Sequence, residues 1–222
     1  MINFSVLVLG FALGMRHGVD ADHLAAIDGL ARVHPRSYNG LLFALGHGGF
    51  VTLLAVGIGT FFVTPLAIFA PWLLILLGTL NLWRLLRPQP VVPTPLISTS
   101  PLILGIVFAA GFETASQIST FALANQIDPW VLGGIFTLGM VVVDGTDGFL
   151  AARIQQIASA GGIRSIRSSR ILSIVIIFFS FGIGIAELVG SDFEMFALPM
   201  GLGLFALLVG LRWWSLQEAA QG

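Results

Sequence analysis

The chain has no cysteine, no lysine and a single tyrosine, and only 9% of its 222 residues are charged. Without cysteine there are no disulfides, thiolate metal sites or thiol redox chemistry. A soluble domain of this size carries about 25% charged residues, so so few charges leave no room for a separate soluble domain. The net charge of −1 and the absence of a basic stripe argue against nucleic acid as a partner. The N-terminus lacks the basic n-region of a cleaved signal peptide, so the first helix is expected to be retained. What remains is 56% hydrophobic, the composition of an all-α, polytopic membrane protein in contact with the lipid bilayer.

Seven apolar segments are long enough to cross a bilayer, at roughly 3–31, 38–63, 66–86, 101–126, 129–152, 171–190 and 195–215. Threading seven spans puts Arg32, Arg36, Arg84, Arg87, Arg153, Arg164, Arg167, Arg170 and Arg212 on one side, and Asp128, Asp192 and Glu194 on the other. By the positive-inside rule the arginine side is cytoplasmic, giving an outside N-terminus and a cytoplasmic C-terminus. Trp72, Trp83, Trp130, Trp213 and Trp214 lie near span ends as interface anchors. The expected location is the cell (cytoplasmic) membrane, multi-pass.

Phe43-x-Leu45-Gly46 matches Phe136-x-Leu138-Gly139, and Asp20 and Glu113 each lie 26 residues before the glycine of their own copy. The two halves would hold three spans each in opposite orientation, as in many secondary transporters. The whole of 1–222 then forms one transmembrane domain: repeat one at about 2–86, a Pro-rich cytoplasmic linker at 87–100, repeat two at about 101–190, and an extra helix at about 195–215.

The polar residues concentrate within this apolar background. His17-Gly18-Val19-Asp20-Ala21-Asp22-His23 places two imidazoles and two carboxylates near the middle of the first segment, where ionisable groups are costly and mark function. On an ideal helix His17, Asp20 and His23 share an arc of about 120°. Asp22 points elsewhere unless the helix is distorted around Gly18. Imidazole and carboxylate together suit a divalent transition metal; the competing reading is a buried structural network in which Arg16 and the histidines neutralise the aspartates. His47, between Gly46 and Gly48 in the second segment, is a further candidate ligand. Glu113, flanked by Ser116 and Gln117 in the fourth segment, is a candidate pathway or site residue, or else joins helices; Asp144 and Asp147, at i, i+3 in the fifth, could bind a cation, hand over a proton or pair with Arg16. Asp28 and His34 approach the end of the first segment, where solvation is expected. So many carboxylates cannot all stay ionised in low dielectric, so metal binding is expected to displace protons.

The motifs resemble those of the NiCoT family of nickel/cobalt permeases. Its R-H-A-x-D-A-D-H-I hallmark is matched by Arg16-His-Gly-Val-Asp-Ala-Asp-His-Leu24, and its L-G-H-S by Leu45-Gly46-His47. Gly111-Phe-Glu-Thr-Ala-Ser-Gln117 is similar to L-G-F-D-T-A-T-E, and Gly139-Met-Val-Val-Val-Asp-Gly-Thr-Asp-Gly148 to G-M-x-x-x-D-T-x-D-G. The resemblance implies secondary uptake of Ni²⁺ or Co²⁺, with His17, Asp20, Asp22 and His23 at the metal, and His47 at a position tied to metal selectivity. The metal is cargo, and no cofactor or enzymatic activity is implied. The chain looks like a short form lacking the family's usual first helix, with Gln117 replacing an acidic residue and Gly48 a serine. A metal or small-solute exporter on a related scaffold, and a membrane subunit of an ATP-driven uptake system, are the alternatives. The sequence is compatible with a homo-oligomer.

Overall fold

In a computed structural model, the residues described are 4–57, 68–86, 100–111, 123, 126–191 and 194–219. They form eight helices and, among the described residues, no strand. In chain order these are α1 (Phe4–Gly18), α2 (Ala21–Val33), α3 (Asn39–Ala55), α4 (Phe69–Leu86), α5 (Pro101–Gly111), α6 (Pro129–Ser159), α7 (Ile163–Leu188) and α8 (Glu194–Ala219). Four helices (α4, α6, α7 and α8) are long and apolar enough to cross a membrane, and α1 with α2 adds a fifth as one bent span. α3 and α5 are shorter apolar helices. The Pro-rich linker falls outside the described residues but for Ser100.

The first predicted segment is broken. Val19 N–H donates to Arg16 O at 3.1 Å and Asp20 N–H to His17 O at 2.9 Å, so α1 ends in a tight turn. Asp20 is extended (φ −62°, ψ 145°) and starts α2 as its N-cap. The two helices meet at a 57° bend. The halves differ in burial. α1 buries only one stripe, Val6, Gly10, Gly14, His17 and Gly18, while Phe4, Val8 and Leu9 face outward. All thirteen residues of α2 are buried, because α3, α4, α6, α7 and α8 all pack around it. A polar helix at membrane depth is tolerated in such a place, enclosed by protein.

Two charged segment ends extend further than hydropathy suggests. The fifth predicted segment continues to Ser159, and the sixth begins at Ile163, so Arg164, Arg167 and Arg170 are helical rather than in a loop. Arginine is a good helix former whose head can reach water from an apolar stem, and a hydropathy window trims such turns away.

Close backbone approach organises the packing. A Cβ on Gly14 would strike the carbonyl of Phe136, and one on Gly139 that of Phe11. The same reciprocal arrangement joins α3 to α5, where Gly46 meets Leu102 O and Gly105 meets Phe43 O. Small residues that let backbones touch are the usual device for helix association in lipid.

Candidate metal site

The break in the first span puts His17 in the last turn of α1 and His23 in the first turn of α2. The C-terminal end of α1 is the negative end of its dipole, which favours a cation there. Asp20 and Asp22 sit where the N-terminal dipole of α2 favours anions. α3 contributes His47. Ring centroids are 4.6 Å apart for His17 and His23, 4.7 Å for His17 and His47, and 4.4 Å for His23 and His47. All three side chains are fully buried, and one nitrogen from each lies within 4.8 Å of the others. Two imidazole nitrogens bound to one ion are at most about 4.2 Å apart, so a contraction of well under an ångström would complete a three-histidine site.

The proton positions follow from the partners. Asp20 Oδ2 accepts from His17 Nδ1 at 3.1 Å, and Asp144 Oδ2 accepts from His23 Nδ1 at 3.1 Å. A carboxylate can only accept, so in the neutral form each of these imidazoles carries its hydrogen on Nδ1 and its lone pair on Nε2. His23 Nε2 has no hydrogen-bond partner among the described residues. His17 Nε2 lies 2.7 Å from His47 Nε2, so His47 supplies the hydrogen in that contact. A metal ion would replace this hydrogen, and His47 Nδ1, now without a partner, would carry it. Carboxylates on the far nitrogen of ligating histidines are the common way to fix ring orientation and raise basicity.

The walls are aromatic and close. Phe43 stands edge-on to His23 with centroids 5.0 Å apart, and Phe136 lies 5.4 Å from His17. These are the two phenylalanines of the internal sequence match. A Cβ on Gly18 would come within 2.9 Å of Asp144 Oδ1, so glycine at that position leaves room for the carboxylate that holds His23.

The expected site residues thus separate. His17, His23 and His47 come together with Asp20 and Asp144. Asp20 orients His17 and is not itself among the clustered nitrogens. Asp22 is buried beside them with Oδ2 lacking a partner. Arg16 is half-buried and forms no ion pair among the described residues. Glu113, Ser116 and Gln117 lie outside the described residues.

Asp147 does not pair with Arg16. It accepts from Arg212 Nη1, while Arg212 Nη2 donates to Asp28 Oδ1 at 3.1 Å. Arg32 Nε donates to the other oxygen of Asp28 at 2.7 Å. Asp28 is therefore 1% exposed instead of solvated, because two guanidinium groups replace water around it. The sequence carried a signal for this pair: Asp28 and Arg32 are spaced i, i+4, and Arg212 falls inside the last apolar segment.

A family model described as "NicO: High-affinity nickel-transport protein" matches residues 3–69, the stretch that holds all three clustered histidines. The chain is 26% identical over 247 residues to "Nickel transporter NixA" of Staphylococcus aureus, covering 84% of this chain and 72% of that protein. It is 27% identical over 262 residues to "High-affinity nickel transport protein" of Cupriavidus necator, covering 91% and 74%. It is also 27% identical over 252 residues to "Hydrogenase nickel incorporation protein HupN" of Bradyrhizobium diazoefficiens, covering 85% and 65%. No solved structure matches. By these matches and its four motifs, the chain is similar to high-affinity nickel-transport proteins.

Proposed function

We propose that this protein imports Ni²⁺ across the cytoplasmic membrane as a secondary transporter, with Co²⁺ as a second cargo. The observation that carries the reading is the three-histidine cluster, in which two rings are held at Nδ1 by carboxylates and one nitrogen from each ring lies within 4.8 Å of the others. Imidazole nitrogen suits nickel and cobalt, and the nickel transporters similar to this chain support nickel over other first-row ions.

His17, His23 and His47 hold the ion, Asp20 and Asp144 fix their rings, and Asp22 supplies negative charge beside it. The reciprocal glycine contacts of α1 with α6 and of α5 with α3 support a 3+3 inverted repeat, with α8 outside it. A site where such halves meet, beside a broken helix, is the arrangement of alternating-access carriers. The orientation follows the arginines, with the C-terminus cytoplasmic and seven spans in all.

The test is ⁶³Ni²⁺ uptake into proteoliposomes under a metal gradient without ATP, comparing the wild type with His23→Ala and His47→Gln. Uptake by the wild type that both variants abolish is expected, with Co²⁺ competing. A folded wild-type protein that takes up no Ni²⁺ in either orientation would overturn the reading.

A further inference from the structure

Directly beyond the histidine cluster lies a second buried layer that a metal ion moving toward the arginine-rich end would meet next. Along α2, Asp28 is five residues past His23, about 7.5 Å at 1.5 Å per residue. Along α6, Asp147 is three residues past Asp144, about 4.5 Å on the same scale. Arg212 of α8 ties these two carboxylates together. None of Asp28, Arg32, Asp147 and Arg212 is more than 7% exposed, so all four are removed from solvent.

The two arginines are held differently. Arg32 is anchored beyond its carboxylate, with Nη1 donating to Ser169 O at 2.5 Å, Ser169 Oγ at 3.1 Å and Ser173 Oγ at 2.7 Å. Its own carbonyl is taken by Arg84. Arg212 has only Asp28 and Asp147 as hydrogen-bond partners among the described residues, and its Nε has none. Whatever lowers the hold of those two carboxylates releases Arg212 and leaves Arg32 in place. α8 also touches the broken span a second time, where a Cβ on Gly201 would strike Val19 O at the bend. A movement of the bend is therefore passed to the helix that carries Arg212.

We propose that Arg212, through Asp28 and Asp147, forms the barrier between the histidine site and the arginine-rich end, and that the cargo cation itself opens it. Withdrawing Arg212 from an empty protein strands two buried carboxylates against one remaining guanidinium, which is strongly unfavourable. A dication entering the layer compensates the same carboxylates and lets Arg212 leave. The barrier thus stays shut in the empty protein and opens for a loaded one. This rests on the nickel-uptake reading and adds three residues to the pathway that the histidine cluster does not include.

The absence of cysteine makes the test direct. Leu208→Cys puts one thiol on α8 a turn before Arg212, on the histidine-site side, where Leu208 is buried and packs with Leu24 and Leu204; Leu204→Cys is a second reporter. A membrane-impermeant methanethiosulfonate is added on the arginine-rich face. Labelling tracks the population of the open state, so Ni²⁺ supplied on the opposite face is expected to raise its rate by about tenfold or more. The neutral triple variant Asp28→Asn/Asp147→Asn/Arg212→Gln is expected to label rapidly without Ni²⁺, to bind ⁶³Ni²⁺ like its parent, and to take up less.

A reporter protein that transports Ni²⁺ yet labels equally with and without it overturns the proposal. So does a triple variant that labels and transports like its parent. If the triple variant does not accumulate, the comparison during turnover decides alone. If the wild type as well as the reporter protein takes up no Ni²⁺, the uptake reading fails, and the labelling of the triple variant against its parent still decides whether this layer is the barrier; if only Leu208→Cys is inactive, Leu204→Cys takes its place.

Discussion

Two buried polar layers share one turn of α6, an upper one at the three histidines and a lower one at Asp28 and Arg212, and they differ in how their charge is balanced. Around His23, three imidazoles and the carboxylates of Asp20, Asp22 and Asp144 collect without an arginine among the described partners, and His23 Nε2, His47 Nδ1, Asp22 Oδ2 and Asp144 Oδ1 are left unbonded. Around Asp28, two carboxylates meet two guanidinium groups and both oxygens of Asp28 are taken, although Asp147 Oδ2, Arg32 Nη2 and Arg212 Nε lack a partner. The lower layer carries its own cations. The upper one has spare lone pairs and no arginine against its carboxylates, which fits the proposed cation site. The difference lies in charge balance, since only one of the two layers holds guanidinium groups against its carboxylates.

The comparison breaks most readily at the lower layer. Arg212→Ala leaves Asp147 and half of Asp28 buried without compensation, a loss of about 3–5 kcal/mol for pairs of this kind. Folded protein in detergent, followed by thermal unfolding, should fall sharply. The neutral triple variant should recover most of the yield, because replacing a whole buried pair by neutral groups costs far less than orphaning one member. If Arg212→Ala is as stable as the wild type, the layer is not charge-matched in the way described.

In the upper layer the same kind of change is expected to spare the fold and remove the response to metal. Saturating Ni²⁺ at about 100 times its dissociation constant stabilises a binding protein by about 2.7 kcal/mol. His47→Gln keeps a polar side chain of similar reach, so unfolding without metal should remain near the wild-type temperature while the nickel-induced rise and ⁶³Ni²⁺ uptake disappear. A full nickel-induced rise in His47→Gln would remove α3 from the site.

Asp144 joins the layers and gives a graded effect. Its carboxylate accepts from His23 Nδ1, so Asp144→Asn should weaken nickel binding by about 10–100-fold, the range typical of lost partners on ligating histidines. Asp144→Glu, which keeps an acceptor for His23 Nδ1, should recover part of the affinity. Equal affinity for Asn and wild type, measured by isothermal titration, would mean that His23 is oriented by something else.

Much of the upper layer was legible in the sequence, whereas of the lower layer only the i, i+4 spacing of Asp28 and Arg32 and the place of Arg212 in an apolar segment were. Two imidazoles and two carboxylates in seven apolar-flanked residues had to be placed somewhere polar, and His47 stood beside the glycines that allow close approach. The division of labour was not legible. Whether Asp20 binds metal or orients His17 depends on the bend at Gly18–Asp20, and an ideal helix cannot show a bend. Asp28 pairs with a residue 184 positions away, and an acid near a span end looks the same in sequence whether water or Arg212 surrounds it. The fold was legible as an all-helical membrane architecture. The full burial of α2 was not, since its Ala-rich run reads equally well against lipid or protein.

The smallest expected effect concerns Gly48, directly after His47. A Cβ there would meet Thr137 Oγ1, come within 2.7 Å of Thr137 Cγ2 and lie 2.8 Å from Met140 Cε. Thr137 cannot turn away without losing its bond to Gly133 O at 2.7 Å, whereas the Met140 methyl group sits at the end of a flexible chain. Gly48→Ala should therefore cost about 1–2 kcal/mol by overpacking, and shift nickel affinity a few-fold by displacing the His47 backbone. Thr137→Ala removes both atoms in the way, so the double variant should be more stable than the sum of the single changes by about 0.5 kcal/mol or more. Strict additivity in a thermal double-mutant cycle would mean that α3 and α6 are farther apart at this level. In that case the small residue after His47 would have to be explained by the helix backbone, and the position of His47 would not depend on α6.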